Sequence, residues 1–375
     1  MRTHAAVLYE LGRPTPYADS RALVVDEVEL DGPGEGEVLV EMASAGLCHS
    51  DLSVIDGSRP RPMPMVMGHE AAGVVREVGP GVADLRPDDH VIFSFLPMCG
   101  RCRFCAMGRP VLCERGARAN QEGSLLSGAR RFRDRAGRTL NHHLGVCGFA
   151  RHTVAAQESL IKIDRDFPLE KAALFGCAVI TGVGAVVNTA RIEPGSAVAV
   201  WGLGGVGLSA VMGARLAGAS PIVAVDRLAH KLELARSLGA THTVNASEVD
   251  AVAAVRELTG GGAQYAFEVV GSEQVLAQAY QATCRGGTTV TVGLPGPTRM
   301  LSVPAVQITA EERTIRGSFM GSAVPRRDIP RFIELYRAGL LPVDALHSRT
   351  IRLEEINAGF DALASGDAVR QIITF

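Results

Sequence analysis

Lysine is almost missing from these 375 residues: Lys162, Lys171 and Lys231 are the only three. Arginine carries the positive charge instead, and 38 basic against 40 acidic side chains leave a formal net charge of -2. A chain so balanced has no basic excess with which to hold nucleic acid or an anionic membrane surface. The start, MRTHAAVLYELG, lacks the apolar core of a secretory signal. Internal repeats and low-complexity linkers are absent too. Long apolar runs are scarce, and only the uncharged stretches 172–190 and 195–214 raise a membrane span. Both are rich in Gly and Ala, and the second breaks from a Val-rich run into a glycine turn. Buried parallel strands and core helices read this way, so no membrane segment is expected.

What is present is a folded-protein composition, 47% hydrophobic and 21% charged, in a chain long enough for two domains. Residues 1–150 carry many Gly and Pro between short Val-rich runs such as EVLVEM and AAGVVREVG, the texture of an irregular β-rich domain. From about 195 the pattern becomes strand–helix alternation. SAVAVWG, PIVAVD, THTVNA, YAFEVVG and TTVTVGL read as strands, with HKLELARSLGA and SEQVLAQAYQATCRG as helices between them. Repeated βα units imply an α/β fold with a doubly wound parallel sheet. The tail predicts helices near 329–338 and 353–364 and a last strand, QIITF. The Arg- and Gly-rich stretch 114–142 predicts a long surface loop.

Eight cysteines could pair, but without a secretory signal a reducing compartment is expected, and metal binding explains the crowding better. Cys99, Cys102, Cys105 and Cys113 follow C-x2-C-x2-C-x7-C, with Gly100 and Gly108 to bend the lobe. Four thiolates close a tetrahedron around structural Zn(II); an iron–sulfur cluster is the other four-cysteine option. Arg101, Arg103 and Arg109 would offset the thiolates' charge.

Gly202-Leu203-Gly204-Gly205-Val206-Gly207 follows the AVAVW strand and opens a helix, and Asp226 ends the next strand nineteen residues after Gly207. In that context G-x-G-x-x-G reads as a dinucleotide fingerprint. The glycines allow the turn, the approach of the pyrophosphate and close helix–strand packing. Asp226 can accept from a ribose and would repel a 2′-phosphate, which favours NAD(H); the adjacent Arg227 blunts that preference.

The motifs GLCHSD, GHEAAGVVREVG, CGRCRFC, GCAVITG and GLGGVG stand in an order that resembles the zinc-dependent medium-chain alcohol dehydrogenases, as a bacterial member. The likeness runs over essentially the whole chain. It implies a GroES-like catalytic domain over 1–178 with a structural zinc lobe at 96–115. A Rossmann-type NAD domain over 179–321 and a return to the catalytic domain over 322–375 complete the expectation. By the same resemblance Cys48, His69 and Cys177 hold a catalytic zinc with one position open, giving two Zn(II) per chain with the lobe. Spacing alone leaves buried core cysteines and a loop histidine equally open.

The resemblance also distributes roles: Asp51 behind the ligand histidine, Glu70 behind the metal, Ser50 as acceptor of the alcohol proton and His49 toward the cofactor pyrophosphate. Thr181, Val206, Val269, Val292 and Leu294 would line the nicotinamide side. Lys231 would face the adenosine ribose and Arg370 the pyrophosphate, and Phe95, with Leu294, would wall the alcohol pocket. Ser53 departs from the pattern, since well-known members carry a proton-relaying histidine there.

The reaction expected is reversible NAD-linked oxidation of a primary or secondary alcohol to an aldehyde or ketone, with hydride leaving a zinc-bound alkoxide. The expected protein is a cytoplasmic homodimer that binds neither nucleic acid nor membrane. Thiol-dependent formaldehyde dehydrogenase is the alternative. Its glutathione form is disfavoured because GSRPRPMPM carries Arg59 and Arg61 in place of acidic residues, and Ala117 stands where an arginine is expected. A nucleic-acid-binding zinc module is opposed by the acidic balance and the paired fingerprint.

Overall fold

The computed structural model describes residues 1–375, which divide into two units. Met1–Cys177, Val324–Pro330 and His347–Phe375 form the first; Ala178–Ala323 and Arg331–Leu346 form the second.

In the first unit Arg2–Leu8, Leu23–Leu30, Phe132–Arg133, Thr139–His142 and Met65–Val66 close into a small barrel. Beside it runs a sheet in the order Leu160–Ile163, His90–Phe93, Glu70–Val78, Glu37–Gly46, Arg370–Thr374 and His347–Ile351, with His152–Ala156 also paired to Glu37–Gly46. The central strand of this sheet is Glu37–Gly46, whose β-branched and small side chains are almost all buried; it pairs antiparallel with both Glu70–Val78 and Arg370–Thr374. That pairing sets the ends of three chain-distant segments side by side. Val38, Val40, Met42, Phe93, Phe149 and Phe360 lie in one core cluster against these strands. Each such side chain contributes about 1.5–3 kcal/mol when fully buried.

The stretch 114–142 is not a long loop. It contains the helix Glu114–Glu122 and two barrel strands, Phe132–Arg133 and Thr139–His142. Its many Arg and Gly residues hide a short apolar pattern: Leu125, Phe132 and Leu140 sit fully in the barrel core. Cys113 caps the helix by accepting the Gly116 N–H, and Gly123 ends it at φ 67°, a left-handed value that favours glycine.

The second unit is a six-stranded, all-parallel sheet in the order His242–Asn245, Ile222–Asp226, Val198–Trp201, Ala263–Glu268, Thr283–Thr291, Thr314–Gly317. The order reverses beside Val198–Trp201, where doubly wound sheets open a ligand crevice at the carboxyl ends of their strands. Val198, Ala199, Val200 and Trp201 are all buried, as a strand covered on both faces requires. No single helix of the chain is long and apolar enough to cross a membrane.

Candidate active site and metal centres

Cys48 stands at the extended residue that opens the helix His49–Ile55, just past the strand Glu37–Gly46. His69 follows Gly68, which holds φ 96° where a Cβ would strike the Phe149 amide at 2.5 Å. Cys177 occupies the break between the turn Ala173–Gly176 and the helix Ala178–Gly184. Three unrelated segments therefore converge. The Cys48 and Cys177 sulfurs and a His69 nitrogen lie within 4.8 Å of one another, all buried, with Cys177 Sγ 3.4 Å from His69 Nε2.

Asp51, in the helix that Cys48 opens, lies with Oδ1 2.9 Å from His69 Nδ1. A proton on Nδ1 donates to that carboxylate and leaves the Nε2 lone pair facing the two sulfurs. Asp51 is fully buried. Burial opposes its charge, but His69 and His143 hold its carboxyl below the ordinary range. Without a metal, burial works against a charged His69 while Asp51 raises it well above the usual histidine range. Hydrogen bonding from Cys177 and the charge of Arg370 outweigh burial and pull Cys48 well down, and Cys177 rises in step.

A second grouping shares His69: Asp51, His69 and His143 also converge within 4.8 Å. His69 has only one nitrogen free of Asp51, and that nitrogen faces the sulfurs. The set that fits an ion is Cys48–His69–Cys177, whose two thiolates and one imidazole make a borderline-soft donor set typical of catalytic zinc. His143 was missed by sequence reasoning. Its Nδ1 sits 3.1 Å from Asp51 Oδ1, and its ring stands edge-on to His69 at 5.7 Å.

Glu70 is completely buried, with neither oxygen hydrogen-bonded. Burial raises its carboxyl to about 7 despite the Arg370 guanidinium 3.6 Å away. Gly46 makes room for it, since a Cβ there would meet the Glu70 carboxyl oxygen at 2.3 Å. Arg370, expected to face a pyrophosphate, is 3% exposed and turned toward Glu70 and the Cys48 sulfur, the latter at 3.6 Å. Ser50 is half-buried in the first turn after Cys48 and His49 is exposed there. Ser53 donates its hydroxyl to the Ser50 carbonyl at 2.9 Å. Phe95 stands edge-on to His69 at 5.5 Å, and its carbonyl accepts from Asn120 Nδ2 at 2.7 Å.

The four cysteines of the lobe also converge: the sulfurs of Cys99, Cys102, Cys105 and Cys113 lie within 4.8 Å of one another. A tetrahedron with metal–sulfur bonds of about 2.3 Å has edges of about 3.8 Å, so the cage fits one ion. Several irons would hold the sulfurs further apart. Backbone N–H groups of Cys99, Cys102 and Gly116 point at the sulfurs of Cys113, Cys99 and Cys113, as thiolates require. Hydrogen bonding with Cys105 lowers Cys102 to about 6, while burial and hydrogen bonding with Cys102 push Cys105 to about 12. Arg103, expected to offset the thiolates, pairs with Glu114 at 3.1 Å. Gly100 and Gly108 take φ 72° and 71°.

In the second unit Gly202 turns at φ 91° directly after its strand, and a Cβ on Gly207 would lie 1.8 Å from the Gly202 carbonyl. A Cβ on Gly204 would meet nothing within 4 Å, leaving the backbone open to a ligand at the start of the helix Gly205–Leu216. Asp226 ends its strand with Oδ2 accepting from the Leu203 N–H at 2.7 Å and Oδ1 from Arg227 and Leu228. The carboxylate thus braces the glycine loop it was expected to accompany. Arg227 is exposed and Lys231 is 8% exposed. Thr181, Val206 and Val269 are half-buried, Val292 is buried and Leu294 is exposed. Glu268, unassigned from sequence, is buried at the end of Ala263–Glu268 and accepts the Gly271 N–H at 2.6 Å. The acid that closes the strand run YAFE was its only signal.

Residues 34–165 match the alcohol dehydrogenase GroES-like domain, and residues 205–338 match the zinc-binding dehydrogenase domain. The NDMA-dependent alcohol dehydrogenase of Amycolatopsis methanolica is 42% identical over 377 residues, covering 100% of this chain and 99% of that protein. This chain belongs to the zinc-dependent medium-chain alcohol dehydrogenases. Among solved members, a zinc-binding alcohol dehydrogenase protein from Burkholderia ambifaria superposes with a TM-score of 0.93 at 38% identity, covering 100% of this chain and 99% of that one. The benzyl alcohol dehydrogenase of Acinetobacter calcoaceticus gives 0.92 at 33% identity with the same coverage. The α/β architecture with a GroES-like part is the family's, and so is the reaction class, interconversion of alcohols and carbonyl compounds.

Proposed function

We propose that this alcohol dehydrogenase oxidises primary or secondary alcohols reversibly with NAD(H), using one catalytic and one structural zinc. The observation that carries the reading is the buried convergence of Cys48, His69 and Cys177 with His69 oriented by Asp51. Three protein ligands leave a fourth position for substrate. Zinc held there supplies Lewis-acid polarisation of the alcohol oxygen.

The chain's own residues do the rest. Asp51 fixes the tautomer of His69. Ser50, two residues past Cys48, accepts the alcohol proton. Ser53 offers no onward path of the histidine kind, because its hydroxyl is committed to the Ser50 carbonyl. Phe95 supplies an apolar wall against the ligand imidazole. Arg370 sits as a counter-charge to Glu70 and Cys48 and is the candidate to turn toward a pyrophosphate when nucleotide binds.

For the nucleotide, the open face at Gly204 admits a pyrophosphate, and the negative charge of Asp226 disfavours a 2′-phosphate. The A. methanolica relative is named for dependence on NDMA, so NDMA belongs among the acceptors tested. Homodimerisation is supported by the edge strand Thr314–Gly317, which pairs on one side only, and by the exposed apolar residues Met300, Val306, Ile308 and Phe319 that flank it in sequence. A reducing, cytoplasmic setting suits eight cysteines that form no disulfide.

The test is a purified protein assayed for zinc and for NADH formation across primary, secondary and aromatic alcohols, with and without thiols and NDMA. Two zincs per chain and alcohol-dependent NADH are expected. Absence of zinc, or no turnover with any alcohol and acceptor, would refute the reading.

A further inference from the structure

Arg59 and Arg61 stand in the segment GSRPRPMPM, each followed by a proline. A residue before proline is pushed to extended backbone, and residues two apart on such backbone project to the same side. Both side chains are half-buried. The Arg59 N–H donates to the Ser53 carbonyl at 2.7 Å, tying the segment to the helix that carries Ser50 and Asp51 and opens at Cys48. Arg61 Nη1 reaches the Asn120 carbonyl at 3.4 Å, and Asn120 in turn holds the Phe95 carbonyl beside His69. The segment is therefore tied at both residues to elements that carry the metal site.

Neither guanidinium has a carboxylate. Several other arginines of this unit do have one: Arg131 pairs with Glu37, Arg138 with Asp134, and Arg76 with Glu41 and Asp88. Around Arg59 and Arg61 the groups in electrostatic reach are each other, the Cys48 thiolate and the His143 ring, which burial keeps neutral. Burial depresses both arginines, and Arg59 adds repulsion at Arg61. A zinc ion balances the two thiolates of its site, which removes the one attraction available to Arg59. Two desolvated like charges with no counter-ion are costly unless a ligand brings the anion. Guanidinium pairs are suited to the planar oxygens of carboxylate and phosphate.

We infer that Arg59 and Arg61 recognise an anionic oxygen group on the substrate, so that the preferred alcohol or carbonyl compound carries a carboxylate or a phosphate. The inference rests on the alcohol dehydrogenase reading and names the substrate class for its site.

The experiment compares benzyl alcohol, para-(hydroxymethyl)benzoate and para-(hydroxymethyl)phenyl phosphate as substrates of the zinc-loaded protein. The same three are followed by calorimetric binding. At low salt the better anionic compound is expected to exceed benzyl alcohol in kcat/KM by about tenfold or more, with the advantage shrinking as salt rises. Which of the two wins separates carboxylate from phosphate. Arg59→Gln with Arg61→Gln should cut the anionic-to-neutral ratio by about 10- to 100-fold, and lysine at both positions should keep most of it. Equal or better use of benzyl alcohol by the wild type, or a preference that survives the glutamines, overturns the inference. Charge-dependent binding that the glutamine variant loses, without turnover of any of the three, supports the anion site and leaves the dehydrogenase reading to the wider screen of alcohols and acceptors. The salt dependence and the lysine variant decide the matter even if the glutamine variant does not fold.

Discussion

Replacing Asp51 probes the catalytic centre without touching a ligand. Asp51 is fully buried, and its Oδ1 lies 2.9 Å from His69 Nδ1 and 3.1 Å from His143 Nδ1. Asp51→Asn keeps the shape and one acceptor oxygen but removes the charge. A charge-assisted bond of about 1.5–3 kcal/mol then becomes a neutral one of about 0.5–1.5, a loss of about 1–1.5 kcal/mol, or roughly tenfold in zinc affinity. Asp51→Ala also leaves the His69 Nδ1–H without a partner in a dry site. Its loss should approach 100-fold, roughly the upper end for groups that orient a ligand histidine. The assay is competition against a chromophoric chelator, with the four-cysteine lobe as internal reference because Asp51 takes no part in that cage. One zinc should weaken in the order wild type, Asn, Ala, while the other stays put. Equal weakening of both zincs, or an alanine variant no weaker than the asparagine one, would refute the argument that Asp51 acts by orienting His69.

Cys48→Ala should remove one zinc per chain and nearly all turnover while leaving a folded, nucleotide-binding protein; metal analysis and calorimetry with NADH check it, and retained activity refutes it. Gly207→Ala places a methyl 1.8 Å from the Gly202 carbonyl, so the turn must open and NAD(H) affinity should fall by more than about tenfold, or the second unit should melt early. His142 is fully buried and accepts the Arg131 N–H at 3.0 Å, and burial, with Arg130 and Arg131, lowers it to about 3. An unfolded histidine binds a proton near pH 6.5 that the folded one refuses, so its contribution is whole above that pH and is lost as pH falls toward about 3. Between about pH 6.5 and 5 the loss is about 2 kcal/mol, which urea unfolding should show in the wild type but not in His142→Gln.

The parallel sheet was legible because strand periodicity and glycine turns alternate cleanly from Val198 onward. The lobe was legible because four close cysteines have few other uses. The convergence of Cys48, His69 and Cys177 was legible only through the family resemblance, since it is made by pairing Glu37–Gly46 with Glu70–Val78 and by the break at Cys177, and spacing along the chain does not encode either. Composition misled at 114–142, where charged residues outnumber the few buried positions that decide the barrel. His143 gave no signal because a histidine beside another histidine reads as a loop. Arg370 illustrates a different gap: sequence order supplied a partner for it, but the two groups it faces, Glu70 and Cys48, come together only in the folded sheet.

The four-cysteine lobe is not separate from the Cys48–His69–Cys177 site. Here Cys113 is both a lobe ligand candidate and the N-cap of Glu114–Glu122, and Asn120 of that helix grips the Phe95 carbonyl. Phe95 rests on the imidazole of the catalytic centre. One helix less than three turns long thus joins the two candidate metal sites. A shift of the four-cysteine lobe is therefore expected to reach Phe95, and with it the His69 ring, through this one short helix.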